Sequence, residues 1–183
     1  MDYPDLLNNL TAVKSGQIIA IDGPAGSGKT TLAGQLQRDL NNVLVIHMDD
    51  LYMGWQDAFS ARLTASTINN ILRPINTSIN FKYDLYDWRK NLFAKSEVIK
   101  SNQIFIIEGV SSGQSQFRPY ISKLIWLDVS DEIGLTRVLA RDGIEIKEQM
   151  LSFQLAQREH FASELTENAA DYRYEGVPKT LLS

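Results

Sequence analysis

The segment Gly23-Pro24-Ala25-Gly26-Ser27-Gly28-Lys29-Thr30, followed by Thr31, has the residue types and spacing needed to hold a chain of phosphates. Its glycines let backbone N–H groups converge on an anion, Lys29 supplies a point charge, and the Thr30 hydroxyl can ligate Mg²⁺. The residues expected to contact the polyphosphate are Gly23, Ala25, Gly26, Ser27, Gly28, Lys29, Thr30 and Thr31. The plain alternative is a glycine-rich turn that merely connects two elements. Context weighs against it, because the segment lies between an apolar run of strand length and a stretch of helical period, as the mechanism requires.

Two further apolar runs end in acids. Val43-Leu44-Val45-Ile46-His47-Met48 delivers Asp49 and Asp50, then Leu51-Tyr52, and Ile104-Phe105-Ile106-Ile107 delivers Glu108-Gly109. Ligands of open α/β sheets bind beyond the carboxyl ends of the strands, so these acids fall where a phosphoryl group would move. A carboxylate there can take the proton of an acceptor hydroxyl or order water around Mg²⁺. Asp49 is the expected base, Glu108 the expected Mg²⁺-organising acid with Thr30 as co-ligand, and Asp50 reads as a turn or helix cap. Arg137 and Arg141, four residues apart on one helix face, are placed to carry charge over the phosphates. Tyr52, Tyr86 and Asp87 are the acceptor-pocket candidates, since aromatic faces bind flat groups with little rotamer entropy lost. His47 and His160 have no second ligand at metal spacing and read as structural.

The elements that must hold these groups follow from apolar patterning. Strand-length apolar runs at 17–22, 43–48, 104–108, 123–128 and, more weakly, 172–174 alternate with helical stretches. That alternation predicts βαβ units: a three-layer α/β/α fold with a five-stranded parallel sheet. The first four runs lack strict alternation, which suggests strands covered on both faces. Leu32, Leu36 and Leu40 make one apolar stripe on a helix over 29–40. Further helices are expected over 62–72, ended by Pro74; from the N-cap Ser130 to Arg141, ended by Gly143; and over 144–165.

With 183 residues, 44% hydrophobic and 22% charged, the chain reads as one domain spanning 1–183. A net charge of −4 leaves no basic excess for a polyphosphate backbone, so a nucleic-acid polymer is not the expected partner. The absence of cysteine removes thiol nucleophiles, disulfides and Cys-ligated zinc. With neither a signal-like start nor an apolar run of spanning length, no membrane partner is expected and the cytoplasm is the expected location. The expected partner is a small-molecule phosphoryl acceptor; a homodimer stays open.

Taken together, the loop 23–30, His47-Met48-Asp49-Asp50-Leu51-Tyr52, Tyr86-Asp87-Trp88, and Ile107-Glu108-Gly109-Val110 with Leu127-Asp128 downstream resemble the uridine kinase-like branch of the nucleoside and nucleotide kinases, within the phosphate-loop kinase superfamily. The resemblance implies ATP and Mg²⁺ as cofactors and transfer of the γ-phosphoryl group to a nucleoside or nucleoside monophosphate. It gives Asp49 the role of base toward the sugar hydroxyl, sets Tyr52, Tyr86 and Asp87 in the nucleoside pocket, and sets Arg137 and Arg141 over the phosphates. The family's lid carries several arginines around a glycine; here Arg137 and Arg141 precede Asp142-Gly143, and the next arginine is Arg158. Other readings are a kinase for another metabolite, such as a sugar acid or vitamin precursor, and a regulatory nucleotide-binding module. The guanine-reading Asn-Lys-x-Asp motif of switch GTPases is absent.

Overall fold

The computed structural model describes residues 2–176. In chain order the elements are α1 (Tyr3–Leu10), β1 (Ile18–Asp22), α2 (Lys29–Asp39), β2 (Val43–His47), α3 (Ala61–Thr67), a π-helical turn (Ile68–Leu72), α4 (Arg73–Asn76), β3 (Phe81–Asp87) and β4 (Leu92–Ile99). There follow β5 (Ile104–Glu108), β6 (Lys123–Asp128), α5 (Asp131–Asp142), α6 (Lys147–Glu164), α7 (Thr166–Ala169) and β7 (Tyr172–Glu175). Five strands form one parallel sheet in the order β2-β5-β1-β6-β7, and β3 pairs with β4 in a separate antiparallel hairpin.

The sheet is covered on both sides because successive side chains of its strands point to opposite faces. Ile19 and Ile21 pack with Leu6 and Leu10 of α1 and with Leu32 and Leu36 of α2. Ile18 and Ala20 face the other layer, with Leu63, Ile71, Leu72, Ile75, Phe81 and Met150. Each of the larger apolar side chains so removed from water stabilises the fold by about 1.5–3 kcal/mol. The central strands β1 and β5 are buried throughout, as expected of doubly covered strands, whereas β2 is only half-buried because it is an edge with one neighbour.

The five-stranded parallel sheet agrees with the sequence pattern; several other elements differ from it. Helix α1 was not expected. Asp2 caps it by accepting the Asp5 N–H at 3.0 Å, and the Tyr3 hydroxyl donates to Asp39 at 2.6 Å. The hairpin was also missed, although Phe81 and Tyr83 alternate with Lys82 and Asp84 at the strand period and point into the core.

Pro74 does not end the helix. Arg73 N–H donates to Ile68 O, five residues back, in the π-helical turn just before it. That wider turn displaces the carbonyls on which the proline ring would press, so the helix continues to Asn76. Met48 leaves β2 to begin a tight turn, Met48–Asp50, and a 3₁₀ turn, Ile144–Ile146, takes the first residues expected in the last long helix. Among the described residues no helix is long and apolar enough to cross a membrane.

Candidate active site

The phosphate loop leaves β1 at Asp22 and enters α2 at Lys29, and close backbone approaches explain its glycines. Gly23 has φ +142°, and a Cβ there would sit 2.0 Å from Leu127 O of β6. Gly26 has φ +79°, and its Cβ would lie 2.5 Å from Gly134 O of α5. No side chain caps the N-terminus of α2, so its first N–H groups and the positive end of its dipole are left to an anion. The Ser27 hydroxyl is fully buried with no hydrogen-bond partner. Thr30 and Thr31 are exposed on the first turn of the helix.

Lys29 is buried, and its ammonium donates to Gly23 O and Pro24 O, each at 2.8 Å. Burial lowers its pKa, while the carboxylates of Glu108, Asp22 and Asp49 oppose that shift. The sheet register sets His47 opposite Glu108, and Glu108 Oε1 accepts from the Thr30 hydroxyl at 2.9 Å and lies 2.5 Å from His47 Nδ1. The contact with Glu108, more than any other influence, raises the His47 pKa. Asp49 follows β2 on the Met48–Asp50 turn, exposed at its tip, and its backbone carbonyl is held by Trp88 Nε1 at 2.9 Å. Crowding by surrounding protein atoms raises the Asp49 pKa, and the neighbouring Glu108 charge adds to the rise. Arg137 Nη1 donates to Gly26 O at 3.0 Å, which puts its guanidinium on the loop, while Arg141 is folded onto Asp142 at 2.6 and 2.7 Å.

A family model described as AAA domain matches residues 19–164, from β1 through the last turn of α6. The chain belongs to this AAA domain family. A uridine kinase of Borrelia duttonii is 29% identical over 143 residues, 69% of this chain and 67% of that protein. Among solved structures, a possible uridine kinase from Bacillus stearothermophilus has a TM-score of 0.70 at 20% identity, covering 94% of this chain and 96% of that one. A putative fructose transport system kinase from Silicibacter sp. TM1040 has a TM-score of 0.75 at 16% identity, covering 94% and 98%. The likeness to these two structures is one of fold.

Beyond the end of β2 in the AAA domain, Trp88 brings the hairpin tip against the Asp49 turn. Tyr86 lies behind it, edge-on to Trp88 and Phe93. The Asp87 carboxylate is engaged within the hairpin, accepting the Arg89 and Lys90 N–H groups and pairing with the Lys90 ammonium at 3.1 Å. Tyr52 is in the core, its hydroxyl donating to Val110 O at 2.6 Å. His47, read from sequence as structural, is at the site through Glu108. His160 is not; it packs against Phe59 and Phe161.

Sequence reasoning missed Asp22 and Gln157. Asp22 is fully buried at the end of β1 and accepts the N–H groups of Gly23, Ser111 and Gly113 at 2.7, 3.1 and 2.8 Å, tying the phosphate loop to the loop after β5. Its signal in the sequence is the one that marks Asp49 and Glu108, an acid at the end of an apolar run, here Ile18-Ile19-Ala20-Ile21-Asp22. Gln157 meets the Ala25 N–H from α6, and no local pattern signals a contact between such distant positions.

Burial pushes the Asp22 pKa up to about 6, above its ordinary value of 3.8, so the native state keeps this proton longer than the unfolded chain. The stability it contributes is full below pH 3.8 and is lost as pH rises through about 6, by about 3 kcal/mol in all. Asp49, Asp50 and His47 are also raised and slope the same way, so the measurement is a difference. Denaturant unfolding without nucleotide, between pH 4 and 7 in about four steps, is expected to show a smaller loss in Asp22→Asn than in the wild type. Parallel curves would remove Asp22 as the source.

Proposed function

We propose that this chain is an ATP-dependent small-molecule kinase that transfers the γ-phosphoryl group to the hydroxyl of a nucleoside or the phosphate of a nucleoside monophosphate. The observation that carries this reading is the meeting, at the carboxyl ends of β1, β2 and β5, of the Lys29 ammonium, the Thr30–Glu108 contact and the Asp49 carboxylate with its raised pKa. The acceptor oxygen forms a bond to the γ-phosphorus as the bond to the β-bridging oxygen breaks and ADP leaves; where the acceptor is a hydroxyl, Asp49 receives its proton. Lys29 and Arg137 supply positive charge toward the phosphate oxygens, and catalysis is mostly positioning and neutralisation.

Thr30 and Glu108 offer one hydroxyl and one carboxylate, which suits Mg²⁺, since that ion takes one or two protein ligands beside phosphate and water oxygens. Bound there, Mg²⁺ would neutralise charge on the β and γ phosphates. Support for a nucleoside acceptor comes from the uridine kinase relatives, at 25–29% identity.

A second acceptor reading is an acidic metabolite in the polar cavity of about 190 Å³ between α3 and the hairpin, where, among the described residues, Lys82 is the free cation, since Arg62 is paired with Asp57, and Asp84 opposes it. The test is ADP release from ATP and Mg²⁺ against nucleosides, nucleoside monophosphates, sugar acids and vitamin precursors, with Lys29→Ala as blank. Release driven by a nucleoside or its monophosphate is the expected result; release driven only by an acid metabolite would replace that acceptor, and silence with every acceptor would count against the kinase reading.

A further inference from the structure

Gln157 reaches the phosphate loop from α6 and is fully buried. Its Oε1 accepts the Ala25 N–H at 3.1 Å. Only the carboxamide oxygen can accept that hydrogen, so the contact fixes which way the amide faces. The nitrogen of a carboxamide lies about 2.2 Å from its oxygen, so Nε2 is held at the loop as well. Yet Nε2 is buried with no hydrogen-bond partner, and so is the hydroxyl of Ser27, two residues beyond Ala25. A buried donor left unmatched costs about 1–3 kcal/mol, so two of them flanking an anion-binding loop call for an acceptor.

The side chain is not loosely draped. Gln154, one turn earlier on α6, donates to Asp131 O at the start of α5 at 2.8 Å. Phe153 packs against Phe59 and Trp55, with ring centroids 5.4 and 5.7 Å apart. Helix α6 is therefore braced against both α5 and the segment beyond Asp49, with Gln157 between.

We infer that Gln157 is a polyphosphate-contacting residue: its Oε1 holds the loop at Ala25, and its Nε2 donates to a phosphate oxygen of the bound nucleoside triphosphate. This rests on the reading that loop 23–30 holds such a triphosphate. The contact adds a directed neutral donor beside the charges of Lys29 and Arg137, and it makes the position of α6 sensitive to nucleotide.

Two variants separate this role from a purely structural one. Gln157→Glu keeps an oxygen for the Ala25 N–H but replaces the donor with negative charge, whereas Gln157→Leu removes both. Binding of Mg·ATP and of inorganic tripolyphosphate is measured by calorimetry at pH 8, with thermal unfolding of each nucleotide-free variant as the folding control. Affinity is expected to fall about 10-fold in Gln157→Leu and about 100-fold in Gln157→Glu, as loss of a donor and its replacement by a like charge require. At pH 5.5, where a buried glutamic acid takes a proton and regains an O–H donor, the Gln157→Glu affinity is expected to recover toward the wild type.

If Gln157→Glu bound ATP like the wild type at pH 8, Oε1 alone would matter and the inference would fall. Tighter binding by Gln157→Leu would also overturn it, since the carboxamide would then only mask Ala25 from phosphate. Should Gln157→Glu unfold, undiminished affinity in Gln157→Leu overturns the inference and a 10-fold loss supports it. A wild type that binds neither probe would overturn the triphosphate reading itself.

Discussion

Lys29→Ala is expected to abolish phosphoryl transfer, lowering kcat/KM by about 10³-fold or more, while the chain stays folded. The ammonium has three N–H donors, of which Gly23 O and Pro24 O take two, so the side chain both braces the entry of the loop and carries charge into it. Three carboxylates, those of Glu108, Asp22 and Asp49, lie close enough to favour its charged form against the penalty of burial. Without the cation these acids would repel a polyphosphate, and neither Arg137 on Gly26 O nor Arg141 on Asp142 takes its buried place. Folding is expected to survive because a buried ammonium is itself costly to desolvate, so losing it offsets much of what its two hydrogen bonds contribute. Steady-state kinetics with thermal unfolding checks both halves, and Lys29→Met, which keeps the stem, guards against a packing defect. Turnover within about tenfold of the wild type would remove Lys29 from the mechanism.

The parallel sheet and its strand ends were legible because they rest on local chemistry. The runs at 17–22, 104–108 and 123–128 are apolar enough to demand burial on two faces, the run at 43–48 is apolar enough to form a strand and ends as the half-buried edge, and the glycine pattern before Lys29 tolerates few alternatives. Asp49 and Glu108 followed from the rule that ligands gather beyond strand ends. What stayed hidden depends on contacts between distant positions. Nothing near Gln157 in sequence announces Ala25, and nothing near Tyr52 announces that its hydroxyl goes to Val110 O rather than to a pocket. The extension past Pro74 was hidden for another reason: a π-helical turn is a backbone rearrangement with no composition of its own. The hairpin is different again, since Phe81 and Tyr83 alternate with Lys82 and Asp84 at the strand period, a local signal carried by aromatic residues that could equally line a pocket.

Asp49→Asn is expected to lower kcat by about 10²–10⁴-fold while leaving ATP affinity within about twofold of the wild type. The substitution preserves shape, and the tie that holds the turn is to the Asp49 backbone carbonyl, so Trp88 and the hairpin tip stay in place. What is lost is the proton acceptor. A carboxylate with an ordinary pKa is a weak base at neutral pH, and the protein atoms and the Glu108 charge that raise the Asp49 pKa move it toward the range in which a general base works best. The same shift predicts the acid limb of the pH profile: wild-type kcat/KM should rise with pH as Asp49 loses its proton, with a midpoint above 3.8, and the Asn variant should lack that limb. Asp50 is the control, because burial raises its pKa too and it adjoins Asp49 on the same turn. If Asp50→Asn lost turnover and Asp49→Asn kept it, the base would be Asp50, and the acceptor hydroxyl would have to approach from the Tyr83 side of the hairpin, where the Asp50 charge is felt.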